Sequence, residues 1–193
     1  PGLNGVAKYI HSGKLGAIRH VEASYLQSWL VSKKWGDWRK NSAWLWRMSS
    51  RHGSLGVLGD LGSHLFDLLR WLCGDIEEIN CRLKTFHKGV PGNRVGDYKL
   101  DANDSFTASL IFKNGALGSV QASRWAVGRM NAVKVAVYGT HGDVEFDLDR
   151  SGDEFRYFHA NGNIDKAEWK TAKGKISANV YQRFINAIRS NQS

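Results

Sequence analysis

The chain has 193 residues, of which 42% are hydrophobic and 23% charged, a length that suits one ordinary domain with a real core. With only 2 Pro and 2 Cys it is neither collagen-like nor a disulfide scaffold, and no apolar run reaches the ~20 residues of a membrane span. The excess of 27 Lys+Arg over 18 Asp+Glu gives a formal charge of +9, which fits a nucleic-acid partner, an acidic small substrate, or solubility alone.

In chain order, residues 4–13 predict a short helix with Val6, Tyr9 and Ile10 on one face and Gly13 as its stop. A strand from Ala17 to Leu30 follows, in which Val21, Ala23 and Tyr25 alternate with His20, Glu22 and Ser24. Residues 31–52 have no clean period and read as a long loop with one helical turn. Gly53, Gly56, Gly59 and Gly62 then lead into a helix from Leu61 to Leu72, striped by Leu61, Leu65, Leu68, Leu69 and Leu72.

The remainder is mostly β. Ile79, Cys81 and Leu83 alternate; a polar loop runs from Lys88 to Asp104; and Phe106, Ala108, Leu110 and Phe112 alternate up to Asn114-Gly115, the signal of a type I′ hairpin. A return strand spans 116–126, Val133, Val135 and Val137 form the next, and Val144, Phe146 and Leu148 follow the turn at 139–142. Strands at 155–159 and 164–169 flank a hairpin at Asn161-Gly162, and a final helix spans Ser177–Ile188 with Val180, Phe184, Ala187 and Ile188 inward. The pattern is α+β: an open, mostly antiparallel β-sheet with helices packed on one face.

The absence of a basic-then-apolar leader, and two cysteines without metal-site spacing, suggest a cytoplasmic protein with reduced, buried thiols. The scattered histidines give no metal site. The glycines at 53–62 do not form G-x-G-x-x-G, and neither a phosphate loop nor G-x-S-x-G occurs. Asp60 and His64, four apart at the start of the helix, form the best local constellation: a carboxylate within reach of an imidazole suits general acid–base chemistry. Taken locally, a helix-capping Asp60 and a surface His64 account for the pattern more simply. Five Trp residues (29, 35, 38, 44 and 46) interleave with bases in the 29–51 segment; most are expected to pack the loop onto the domain, with Trp46 and Arg47 the candidate ligand contacts.

Trp44-Leu45-Trp46-Arg47, the run from Gly53 to Asp67 that contains Asp60-Leu61-Gly62-Ser63-His64, and Trp71-Leu72-Cys73-Gly74 closely resemble the C-terminal domain of the glucose–fructose oxidoreductase / inositol dehydrogenase (Gfo/Idh/MocA) family. The segment from Tyr9 to Gly16 and the turn from Tyr138 to Gly142 are similar to further stretches of that domain, so the resemblance spans nearly the whole chain. It implies a single C-terminal substrate-binding and oligomerisation domain over residues 1–193, whose sheet face joins protomers. NAD or NADP would be held mainly by an N-terminal Rossmann domain absent from this sequence. It further implies a sugar, cyclitol or polyol substrate, with His64 as the acid/base and Asp60 orienting substrate or histidine, which reverses the local preference. The glycine fingerprint and the Glu-Lys-Pro motif of the family are absent, so the chain alone is expected neither to bind NAD(P) tightly nor to turn over substrate. The rival reading is a non-catalytic module whose basic, Trp-rich loop grips nucleic acid or an acidic partner; the expected partners are instead small molecules and like subunits, with no membrane.

Overall fold

The computed structural model describes residues 1–160, 164–175 and 180–190. In chain order the elements are α1 (Gly2–His11), β1 (Ile18–Gln27), α2 (Ser42–Leu45), α3 (Ser63–Cys73), β2 (Ile76–Lys84), β3 (Arg94–Val95) and β4 (Tyr98–Lys99). They continue with β5 (Ser105–Phe112), β6 (Leu117–Ser123), β7 (Asn131–Gly139), β8 (Gly142–Asp147), β9 (Glu154–His159), β10 (Lys170–Lys173) and α4 (Val180–Arg189). Eight strands form one sheet in the order β10-β9-β8-β7-β1-β6-β5-β2, while β3 and β4 pair separately as a small hairpin. Every neighbouring pair of the large sheet is antiparallel except β1 and β6, which run parallel with Ala23 opposite Val120.

The strands obey the two-residue period. Phe106, Ala108, Leu110 and Phe112 of β5, Val120 and Ala122 of β6, Val135 and Val137 of β7 and Val144 and Phe146 of β8 are all buried on the inner face. Two helices cover that face. Val6, Tyr9 and Ile10 of α1 pack with Phe155 and Tyr157, and Leu65, Leu69 and Leu72 of α3 join the same cluster. Full burial of a side chain such as Leu69 or Phe112 contributes about 1.5–3 kcal/mol. The opposite face carries Glu22, Ser24, Thr107, Ser119, Gln121 and Lys134 around a shallow concavity of about 650 Å³.

The 31–52 segment is a chain of short turns: 3₁₀ turns at 33–35, 38–40, 46–48 and 50–52, with the four-residue α2 among them. Asp37 and Asn41 begin two of these turns by accepting the N–H two residues on. With Trp29 and Leu30 just ahead of it, the segment builds a separate small core from Trp38, Leu45 and Met48, closed by Leu100 from the far side. The polar stretch 88–104 folds back over it and contains β3 and β4.

Several expectations change. The Asn114-Gly115 hairpin is present but is not type I′, because only Gly115 has positive φ (82°); Phe112 O accepts from Gly115 N, a type I turn followed by a left-handed glycine. Cys73 is buried, and burial pushes its thiol up to about 12, but Cys81 is exposed on the edge strand β2. Residues 164–166 form a 3₁₀ turn instead of a strand, and the pairing strand begins only at Lys170. The Asn161-Gly162 turn lies outside the described residues. In α4 the large apolar side chains expected inward face water instead: Phe184 is 66% and Ile188 60% exposed.

Candidate functional site

The parallel pairing of β1 and β6 brings their C-terminal ends out together. On the inner face at that end stand Tyr25 and Gln27 of β1, with Asn131 of β7 opposite Gln27. Arg124, one residue beyond β6, continues the inward row Gly118, Val120, Ala122. Over them lies the entry to α3. A five-residue π turn at Leu58–Gly62 carries Asp60, and Ser63 begins the α-helix proper. Asn103 fixes this entry, accepting from Leu58 N at 3.0 Å and donating to Leu55 O at 3.2 Å, while its carbonyl accepts from Val57 N.

Asp60 does not cap the helix. Its carboxylate is divided between two guanidinium groups: Arg124 Nη2 donates to Oδ2 at 2.8 Å and Arg47 Nη1 to Oδ1 at 3.3 Å. Arg124 is only 1% exposed, donates its other terminal nitrogen to Arg47 O at 2.9 Å, and lies 5.1 Å from the Trp29 ring. Burial lowers the pKa of this guanidinium, and the Asp60 carboxylate opposes that shift. Arg47 is half-buried between the rings of Trp46 (4.9 Å) and Trp44 (5.6 Å), and its carbonyl also accepts from Ser54 Oγ at 2.5 Å. The Nε atoms of both arginines are buried without a partner.

His64 sits in the first turn of α3, exposed, with its ring 6.4 Å from that of Tyr25. Among the described residues no hydrogen bond or ion pair reaches its ring nitrogens, and none joins it to Asp60. The structure therefore places the two predicted residues in one site without pairing them. Tyr25 donates to Asn131 Oδ1 at 2.9 Å, and Gln27 Nε2 bridges to the same oxygen at 2.8 Å. Burial raises the Tyr25 pKa, the Gln27 and Asn131 hydrogen bonds lower it, and the Asp60 charge adds to the rise.

Trp46 is 40% exposed with its indole beside Arg47, and Arg47 in turn links this predicted pair to Asp60. Trp29 and Trp38 are consumed in the small core, and Arg39 lies over the Trp38 ring and beside Asp37, which does not favour a stacking surface for nucleic acid. Sequence reasoning missed Arg124, although the two-residue period of β6 carried on from Ala122 points it inward. It also left Tyr25, Gln27 and Asn131 unassigned, because hydrogen-bonded side chains on adjacent strands become neighbours only once the register is known.

Three of the glycines at 53–62 leave no room for a dinucleotide. A Cβ at Gly56 would meet Asn103, one at Gly59 would meet Leu55, and one at Gly62 would meet Leu58 and Phe106, so the space beside these three belongs to the chain's own residues. What the arrangement offers chemically is an unbonded imidazole able to move a proton, a fixed carboxylate–arginine pair able to hydrogen-bond polar groups, and an aromatic face.

A family model described as the GFO/IDH/MocA C-terminal domain matches residues 4–145. The levoglucosan dehydrogenase of Pseudarthrobacter phenanthrenivorans is 30% identical over 177 residues, which cover 85% of this chain and 43% of that protein. A solved levoglucosan dehydrogenase in complex with NADH and levoglucosan is similar with a TM-score of 0.73 at 30% identity, covering 88% of this chain and 43% of that one. An NAD binding oxidoreductase from Klebsiella pneumoniae is similar with a TM-score of 0.71 at 27% identity, covering 87% and 42%. The chain thus spans less than half the length of the curated relatives it matches.

Proposed function

The chain belongs to the GFO/IDH/MocA family, and from that membership we propose that it is the substrate-side domain of an NAD(P)-dependent oxidoreductase acting on a sugar, cyclitol or related polyol. The nicotinamide cofactor, held mainly by an N-terminal Rossmann domain of the whole protein, supplies the hydride chemistry. The observation that carries the reading is the exposed, hydrogen-bond-free imidazole of His64 beside Tyr25 and the Asp60–Arg47–Trp46 group. A ring nitrogen of His64 takes the proton of the substrate hydroxyl, or returns it in the reverse direction. Asp60 and Arg47 hold neighbouring hydroxyl groups, and the exposed face of Trp46 packs on the C–H face of the ring. The polar outer face of the sheet is the surface through which like subunits assemble, and the free thiols Cys73 and Cys81 fit a cytoplasmic setting. No helix among the described residues is long and apolar enough to cross a membrane.

The test is reduction of NAD+ or NADP+ by the full-length protein with levoglucosan, myo-inositol and glucose as probes, followed by H64A. The variant is expected to lose about 10²-fold or more in kcat; an unchanged kcat would remove His64 from the mechanism. The 193-residue chain by itself is expected to show no turnover and no tight cofactor binding. Micromolar affinity for NADH or NADPH by calorimetry would overturn that part.

A further inference from the structure

An Asp and a His four residues apart at a helix start are expected to meet across one turn. Here they do not: Asp60 lies in the π turn at Leu58–Gly62, ahead of α3, and both of its carboxylate oxygens are taken by guanidinium groups. The group that sets this is Arg124. It is held from every side: its N–H donates to Asp104 O at 3.0 Å, its carbonyl accepts from Leu30 N at 3.4 Å, and its guanidinium lies over Trp29. Its two terminal nitrogens point at Asp60 Oδ2 and at the carbonyl of Arg47, the residue whose own side chain takes Asp60 Oδ1. One buried cation thereby fixes both Asp60 and the backbone of its second partner. A guanidinium serving only to fill the core would be expected to satisfy all its donors. This one leaves Nε buried without a partner while both terminal nitrogens serve the site.

We propose that Arg124 is a positioning residue that, with Arg47, withholds the Asp60 carboxylate from His64, so that the imidazole exchanges its proton with substrate alone. An unclamped carboxylate one turn away would hydrogen-bond a ring nitrogen and stabilise the imidazolium, making His64 a poorer proton donor and occupying the atom that substrate needs. This inference rests on the reading of His64 as the proton-transfer group, but its test does not use catalysis.

The experiment is an NMR titration of the His64 ring in the full chain, with the resonance assigned by its loss in H64Q. Four proteins form a cycle: wild type, R124Q, D60N and R124Q/D60N. Releasing the clamp should raise the His64 midpoint in R124Q by about half a pH unit or more. The same R124Q change made on the D60N background should leave the midpoint unmoved. Mere loss of a positive charge would raise the midpoint equally on both backgrounds, and that result, or no rise at all, would overturn the proposal. If R124Q fails to fold, R124K and R47Q are titrated instead. R124K keeps the charge but reaches one acceptor in place of two, and R47Q frees Oδ1; each should give a smaller rise that D60N abolishes. Folded R124K and R47Q with the wild-type midpoint would overturn it equally. Loss of the functional reading is seen separately, as an H64A enzyme of undiminished kcat with the titration cycle intact.

Discussion

Lys88 Nζ donates to Asp104 Oδ2 at 2.7 Å, and neither side chain is reached by solvent. The ammonium also donates to Phe86 O at 3.1 Å and the carboxylate accepts from Phe86 N at 2.8 Å, yet Asp104 Oδ1 has no partner. Burial pushes the Asp104 carboxyl above its ordinary range, with Lys88 opposing the shift. Breaking such a pair from one side strands a charge, at a cost of about 3–5 kcal/mol, whereas an apolar pair of similar volume is often neutral. Accordingly K88M should lower the unfolding free energy by roughly that amount in urea titrations, and K88M/D104L should recover most of it. A single variant as stable as wild type would show that the pair contributes nothing.

Asp101 ties the 50–52 turn to the strand region, accepting from Ser50 N at 2.9 Å and Ser50 Oγ at 2.8 Å. The Ser50 N–H holds its carboxyl below the usual aspartate range. A lowered folded-state pKa gives stability that is fully present above the unfolded value near 4 and is lost as pH falls through the folded value. D101N should therefore lower the melting temperature at pH 7 more than at pH 2.5, which thermal scans across that interval measure.

Gly56 has φ of +66°, and a Cβ there would collide with Asn103, whose amide fixes the entry to α3. G56A combines backbone strain with displacement of that amide, and should destabilise by about 1–3 kcal/mol. The loss should exceed that of G53A, where φ is also positive but the space is open. Equal costs would show that the backbone conformation alone matters.

The Trp46 face both supports Arg47 and stands open to solvent. W46A in the full-length protein should raise KM about two- to five-fold, the equivalent of the ~0.5–1 kcal/mol of an exposed cation–π contact, with little change in kcat. A fall in kcat with KM unchanged would place Trp46 in the chemical step instead.

The sheet was readable because β5 and β6 alternate cleanly: Phe106, Ala108, Leu110 and Phe112 carry the period without a break. The site was readable only as a set of names. His64, Asp60, Trp46 and Arg47 do gather at one end of the sheet, but their spacing put the Asp60 carboxylate within reach of the imidazole, whereas both its oxygens are taken by Arg124 and Arg47. Arg124 was missed because a charged residue at the end of a strand is ordinarily assigned to solvent, and its two acceptors lie about 64 and 77 residues away in sequence. The last helix shows the converse: amphipathic spacing predicted a buried face, but spacing does not say which surface receives it.

The one parallel pair also governs when this domain can form. β1 is made well before either neighbour, since β6 and β7 both lie about a hundred residues or more further along. A nascent or truncated chain ending before Leu117 would hold a central strand with two open edges and nothing to bond. Closure of such distant pairings is slow, since a long loop must be ordered before any contact rewards it. Folding should therefore wait on synthesis of β6 and β7, and until then β1 is the stretch most exposed to pairing with the wrong partner.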